Sequence, residues 1–111
     1  MRKMTDHEIQ KEFLLLNERF FDDKLPWVEV RFGGNLPRTD GHFNAVKNQI
    51  RIDRKLRNFH SLSTIVLLHE MAHVSMMIQG YRGYPEEGGH GSLFQVELDR
   101  LYKAGAYDGL L

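Results

Sequence analysis

No cysteine occurs anywhere in these 111 residues, so the chain can form neither a disulfide framework nor a thiolate metal site. That absence fits an intracellular protein, and a cytoplasmic location is expected. Long apolar runs are scarce as well. The longest uninterrupted aliphatic stretch, Ile65-Val66-Leu67-Leu68, is far short of the ~20 residues that span a bilayer. Arg2 and Lys3 are followed by Thr5-Asp6-His7-Glu8 where a secretory signal would have its apolar core, so neither a signal nor membrane association is expected. An excess of charge of one sign is also missing: 15 Lys and Arg balance 15 Asp and Glu. This excludes attraction of the whole molecule to nucleic acid or anionic membrane, while local patches can still act. With 3 prolines, 1 tryptophan and 41% hydrophobic residues, the composition is that of a single compact domain over residues 1–111.

What the chain does have is concentrated chemistry in His69-Glu70-Met71-Ala72-His73, between the aliphatic run and Met76-Met77-Ile78. In a helix His69 and His73 lie one turn apart on one face, so both imidazoles can reach one cation. Glu70, about 100° further round, is displaced toward a water on that cation and away from the cation itself. Two histidines and a glutamate are costly on a stripe that also carries Leu62, Ile65, Val66, Ala72 and Met76, because a core-facing polar group needs a partner. The competing reading is that both histidines are core or rim residues satisfied by hydrogen bonds. A third ligand would weigh against it.

Catalytic zinc takes three protein ligands and keeps one position for water. A further His, Glu or Asp is therefore expected downstream. The leading candidate is His90, within Gly88-Gly89-His90-Gly91-Ser92-Leu93-Phe94, where flanking glycines let a loop swing back onto an earlier helix. The metzincin spacing would need Gly and His where Met76 and Gln79 stand, which excludes that arrangement. A gluzincin glutamate would fall near Ser92, Leu93 and Phe94. Glu97 lies beyond that point and is the weaker alternative to His90.

Thr5-Asp6-His7-Glu8 reads as a capping box, and Ile9, Phe13, Leu16 and Phe20 then recur at helical spacing up to Phe21. Alternation predicts a strand over Trp27–Phe32, and a hairpin of strands His42–Val46 and Gln49–Asp53 turning near Lys47-Asn48. A helix is expected from about Leu62 to Gln79, capped by Ser61 or Ser63 and ended by Gly80. Phe94, Leu98, Leu101 and Tyr102 predict a last helix with Ser92 as its cap. Helix, three strands, helix, helix is an α+β order.

The HExxH segment followed after a loop by Gly89-His90-Gly91-Ser92-Leu93-Phe94 resembles the SprT-like (Spartan/SprT) zinc metallopeptidase domain. The resemblance extends to Asn17-Glu18-Arg19-Phe20-Phe21, Leu25-Pro26, a glycine near Gly41 and Asn48-Gln49-Ile50-Arg51-Ile52. It implies a minimal zincin-like fold in which His69, His73 and His90 bind Zn2+ and Glu70 is the catalytic acid/base. The substrates it implies are proteins or peptides, with DNA-associated proteins among them. Relatives commonly continue into a cysteine zinc ribbon or a DNA-binding region, for which this cysteine-free chain has no counterpart. The resemblance thus supports the peptidase core more strongly than a DNA-directed role.

Three neutral imidazoles leave zinc its double positive charge, which lowers the pKa of its water toward neutrality. Glu70 can then take that proton as the water attacks a peptide carbonyl, and pass it to the leaving amine. Tyr81, Tyr84 and Tyr102 are candidates to stabilise the oxyanion. Glu86, Glu87 and Asp99 are candidates to accept the second ring N–H of a ligand histidine. The hairpin from His42 to Asp53 is a candidate edge for a substrate strand. His7, His42 and His60 are assigned no chemistry. Lys47, Arg51, Arg54, Lys55 and Arg57 form the one basic concentration, where DNA contact competes with the simpler reading of a solvated rim. Two further functions stay open: a repressor-cleaving metallopeptidase of mobile elements, and a non-catalytic zinc-stabilised binding module.

Overall fold

The computed structural model describes residues 2–34, 36, 39–80 and 91–111. Helix α1 (Asp6–Phe20) opens with the expected capping box: the Glu8 N–H donates to Thr5 Oγ1 at 3.1 Å and the Thr5 N–H to Glu8 Oε1 at 3.0 Å. Ile9, Phe13 and Leu16 form its buried stripe. The helix is closed by the buried Asn17, whose amide bonds both the carbonyl and the N–H of Leu25, at 3.0 and 3.1 Å. Asp22 and Asp23 turn the chain there with φ of 53° and 59°.

Three strands follow, β1 (Glu29–Gly33), β2 (Gly41–Asn44) and β3 (Gln49–Asp53), in the spatial order β1-β3-β2. β3 has the expected bounds. β1 starts two residues later than alternation suggests, leaving Trp27 exposed. β2 ends at Asn44 because Asn44 Oδ1 accepts the Lys47 N–H at 3.0 Å and starts the turn, with Val46 exposed at its tip and Asn48 at φ 53°. β2 is antiparallel to β3, whereas β1 is parallel to it. The outer edge of β1 is covered from α1: Gln10 bonds the Val28 carbonyl and the Val30 N–H, and Asp6 Oδ1 accepts the Phe32 N–H at 2.8 Å. Those side chains satisfy groups that a bare edge would offer to another chain.

A 3₁₀ turn (Arg54–Asn58), absent from the sequence reading, is capped by Asp53, which accepts the Lys55 and Leu36 N–H groups at 3.0 Å each. It leads into α2 (His60–Gln79), which starts two residues before the expected Leu62. Neither Ser61 nor Ser63 caps it. Phe59 holds the cap position without a side-chain bond, and Ser63 Oγ instead donates to the Leu56 carbonyl at 2.6 Å, tying the helix to the 3₁₀ turn. Gly80 ends α2 in the left-handed conformation, φ 68°, as its position predicts. By length and composition alone α2 could cross a membrane, yet 61% of that window is buried within this fold. It is apolar all round because it is the central helix. Helix α3 (Ser92–Lys103) is entered through Gly91, with Ser92 already inside it. Phe13, Ile50, Ile52, Leu67, Met71 and Leu101 are among the fully buried residues of one core shared by α1, the sheet, α2 and α3. Each stabilises the fold by about 1.5–3 kcal/mol through burial.

Candidate metal centre

Because α2 is a regular helix here, the i, i+4 spacing brings the His69 and His73 rings together, with centroids 5.0 Å apart and planes at 76°. Both rings rest on Phe94 from the first turn of α3. It stacks on His73 at 4.3 Å and 22°, and meets His69 edge-on at 5.0 Å and 67°. Phe94 is fully buried, so the imidazoles have an apolar wall on one side and a fixed orientation. The start of α3, two residues after His90 in sequence, is therefore packed directly against the histidine pair. His90 itself lies outside the described residues, as do Tyr81, Tyr84, Glu86 and Glu87. Among the described residues no group of three or more acidic or histidine side chains converges to hold a metal ion. A three-ligand centre at His69 and His73 has to complete itself from outside them.

Glu70 is only 5% exposed. Burial pushes its carboxyl up from 4.5 to about 7, opposed by a hydrogen bond from the backbone N–H of Phe43. The sheet register explains that bond. The Asp53 N–H donates to the Asp40 carbonyl, so His42 opposite Arg51 and Asn44 opposite Gln49 continue the hydrogen-bonded pairs of β2 and β3. Gly41 and Phe43 consequently turn their backbone groups outward, toward α2. The close approach also requires Gly41, since a Cβ there would meet Val66 Cγ1 at 2.5 Å and Glu70 Oε2 at 3.1 Å.

Other expected participants are engaged elsewhere. Glu97, the weaker alternative ligand, is buried and accepts hydrogen bonds from Ser75 Oγ and Arg100 Nε, while Arg100 also donates to the Phe20 carbonyl. It clamps α3 to α2 and to the end of α1. Asp99 pairs with Lys103 at 2.8 Å on the surface, which removes the reason to expect it behind a histidine. Tyr102 is 63% exposed and two turns, about 12 Å, along α3 from Phe94, so it does not face the pair. His42 is exposed on the outer sheet face, and His60 Nε2 is 2.9 Å from the Arg2 carbonyl. The residues that sequence reasoning undervalued are Phe94 and Gly41. Both are visible in the sequence, Phe94 as an apolar helix position after His90 and Gly41 as a lone glycine before a strand, but neither pattern names its spatial partner.

The donor set suits zinc: two imidazoles on one helical face and a buried carboxylate beside them, held by a β2 strand that only glycine at position 41 lets pack this closely on α2. An HExxH helix laid against a three-stranded sheet, with a further helix closing behind the histidines, is the architecture of a minimal metallopeptidase-like α+β domain. The chain belongs to the SprT-like family, whose model matches residues 9–108. No curated protein and no solved structure matches it.

Proposed function

We propose that the protein is a zinc-dependent peptidase in which His69, His73 and His90 hold the metal and Glu70 acts as general base and then general acid. The observation that carries this reading is the environment of Glu70. A buried carboxylate is expensive, and one backbone hydrogen bond offsets only part of the cost of burial. A site that only stabilised the fold would have no use for it. Placed beside the histidine pair, the carboxyl can instead take a proton from a water and return it to a leaving group. Zinc bound there would supply Lewis-acid activation of water and of a substrate carbonyl.

The chain's own residues supply the rest. The Phe43 N–H fixes one side of the Glu70 carboxylate, and Gly41 lets β2 pack directly against α2 at that carboxylate. Phe94 orients both imidazoles and keeps water from their far side. Glu70 accepts the proton of the attacking water and delivers it to the departing amine.

The outward edge of β2, beside α2, is the surface proposed for an extended polypeptide, but part of it is already used. Thr39 Oγ1 donates to the Gly41 carbonyl at 2.6 Å and accepts from its N–H at 3.3 Å, and Phe43 is bound to Glu70. A substrate strand pairing there displaces Thr39. Polypeptides are the substrate class, with DNA-associated proteins the subset suggested by the family. The test is cleavage of unfolded casein by the full chain, with turnover abolished by a zinc chelator and restored by added Zn2+. Cleavage indifferent to chelation would contradict the proposal.

A further inference from the structure

On the outer face of the sheet, opposite the core, three cationic or protonatable side chains stand in one cross-strand row. Arg31 of β1 is in register with Arg51 of β3, and Arg51 with His42 of β2. Adjacent strands are about 4.8 Å apart, and like charges directly opposite one another destabilise a sheet. At the β1 end this row opens into a concavity of about 620 Å³, lined by Arg31, Arg51, Arg54 and Arg57 together with Gly33, Gly34 and the start of α1. Only Arg31 and Arg51 of these four were brought together by strand pairing, and Arg31 lies outside the basic run visible in sequence.

The arginines are only partly compensated by nearby acids. Among the described residues Arg51, Arg54 and Arg57 have no carboxylate within ion-pair distance, and Arg31 has one at 3.7 Å, from Glu29. Arg51 Nε donates to Gln49 Oε1, and Arg57 Nε donates to the Met4 carbonyl while its guanidinium lies 5.9 Å above the Phe32 ring. Asp6 lines the same concavity and Asp53 is close enough to Arg54 to feel its charge; both carboxylates also accept backbone N–H groups, Asp6 from Phe32 and Asp53 from Lys55 and Leu36, and the guanidiniums outnumber them. The glycines are part of the construction. A Cβ at Gly33 would press on Arg51 Cδ at 3.0 Å, and one at Gly34 would lie 3.5 Å from an Arg54 terminal nitrogen. Their absence of side chain leaves the floor open and the guanidinium forks presented to solvent.

We propose that this concavity is a binding site for a run of adjacent phosphates. Several forked donors in a row match several phosphate groups better than one. The same chemistry has two sources, a small polyphosphate or the backbone of a single-stranded nucleic acid. The site is separate from the metal centre: it occupies the β1 side and outer face of the sheet, whereas Glu70 meets the outward edge of β2. A ligand bound here tethers the protein without touching His69, Glu70 or His73. The inference does not depend on peptidase activity.

The experiment is fluorescence anisotropy of labelled oligothymidylate titrated with the full chain at low salt, with inorganic triphosphate as competitor. Wild type, Arg51→Gln/Arg54→Gln and Lys24→Gln are compared, the first pair being exposed side chains and the last an exposed lysine away from the concavity. Wild type and Lys24→Gln bind alike, and the double variant binds about tenfold or more weakly, with a salt slope shallower by about 1.4, the loss of two phosphate contacts. Displacement by triphosphate at concentrations matching its own calorimetric binding assigns the site to small polyphosphates. Displacement only by unlabelled oligonucleotide assigns it to the polymer. Arg31→Gln, a single exposed change, repeats the comparison should the double variant fold poorly. Binding of neither probe, or equal binding by wild type and the arginine variants, overturns the proposal. Because binding is read without turnover, that failure is distinct from any failure to cleave peptides.

Discussion

The backbone N–H of Phe43 donates to the carboxylate of Glu70, joining the outward edge of β2 to the helix that carries both candidate zinc-binding histidines. The bond exists because sheet register turns Phe43 outward and because residue 41 has no side chain to hold α2 away. Position and protonation of the proposed base are thus set by the sheet as much as by its own helix.

Gly41→Ala tests that dependence. Its methyl group would lie 2.5 Å from Val66 Cγ1, so β2 and α2 must separate, at a cost of about 1–3 kcal/mol of stability. Pairing it with Val66→Ala relieves the clash, and the double variant is expected to recover part of the loss in thermal melts. Additive losses would show that the approach of β2 to α2 is not what Gly41 provides.

Phe94→Ala removes the wall behind both imidazoles. Truncating a buried phenylalanine costs about 3–5 kcal/mol, so Phe94→Leu is the more informative change. It keeps apolar volume but not the stacked ring 4.3 Å from His73. Zinc affinity, measured by competition with a chromophoric chelator, is expected to fall about 10- to 100-fold. Unchanged affinity would reduce Phe94 to a core residue.

Much of this was legible beforehand, and for local reasons. The capping box at Thr5 and Glu8 follows from side chains acting on their own backbone, the stop at Gly80 from a residue free to take positive φ, and the bounds of β3 from local alternation. Three things depended on distant partners. The start of α2 at His60 escaped because Ser63 spends its hydroxyl on Leu56 and not on a cap. The parallel pairing of β1 with β3 brought Arg31 beside Arg51, which no spacing in the chain announces. Phe94 looked like any apolar helix position until α3 packed it on the histidines.

Glu97 is expected to be structural. Ser75→Ala, which deprives its buried carboxylate of one donor, should cost about 1–3 kcal/mol, while Ser75→Ala and Glu97→Gln both keep a full equivalent of zinc. Loss of zinc from folded Glu97→Gln would restore Glu97 as a ligand in place of His90.

Asp53 supplies the pH dependence. Hydrogen bonds from the Lys55 and Leu36 N–H groups hold its carboxyl below 3.8. Its stabilising contribution is therefore complete above the unfolded value and is lost as pH falls through the lower, folded one. Asp53→Ala should lose about 1–2 kcal/mol at pH near 7 as the cap disappears, and the gap to wild type should narrow in denaturant titrations once the pH drops below 3.8. A gap constant with pH would mean that the charge of Asp53 contributes nothing.

The central claim is that a zinc centre on α2 uses Glu70 to move the proton. The most direct measurement is zinc content by mass spectrometry together with casein cleavage, for wild type, Glu70→Gln, His73→Ala and His90→Ala. The account predicts about one zinc per chain in wild type and Glu70→Gln, loss of zinc in both histidine variants, and cleavage by wild type alone. Undiminished cleavage by zinc-loaded Glu70→Gln, or a wild type that takes up no zinc, would contradict it.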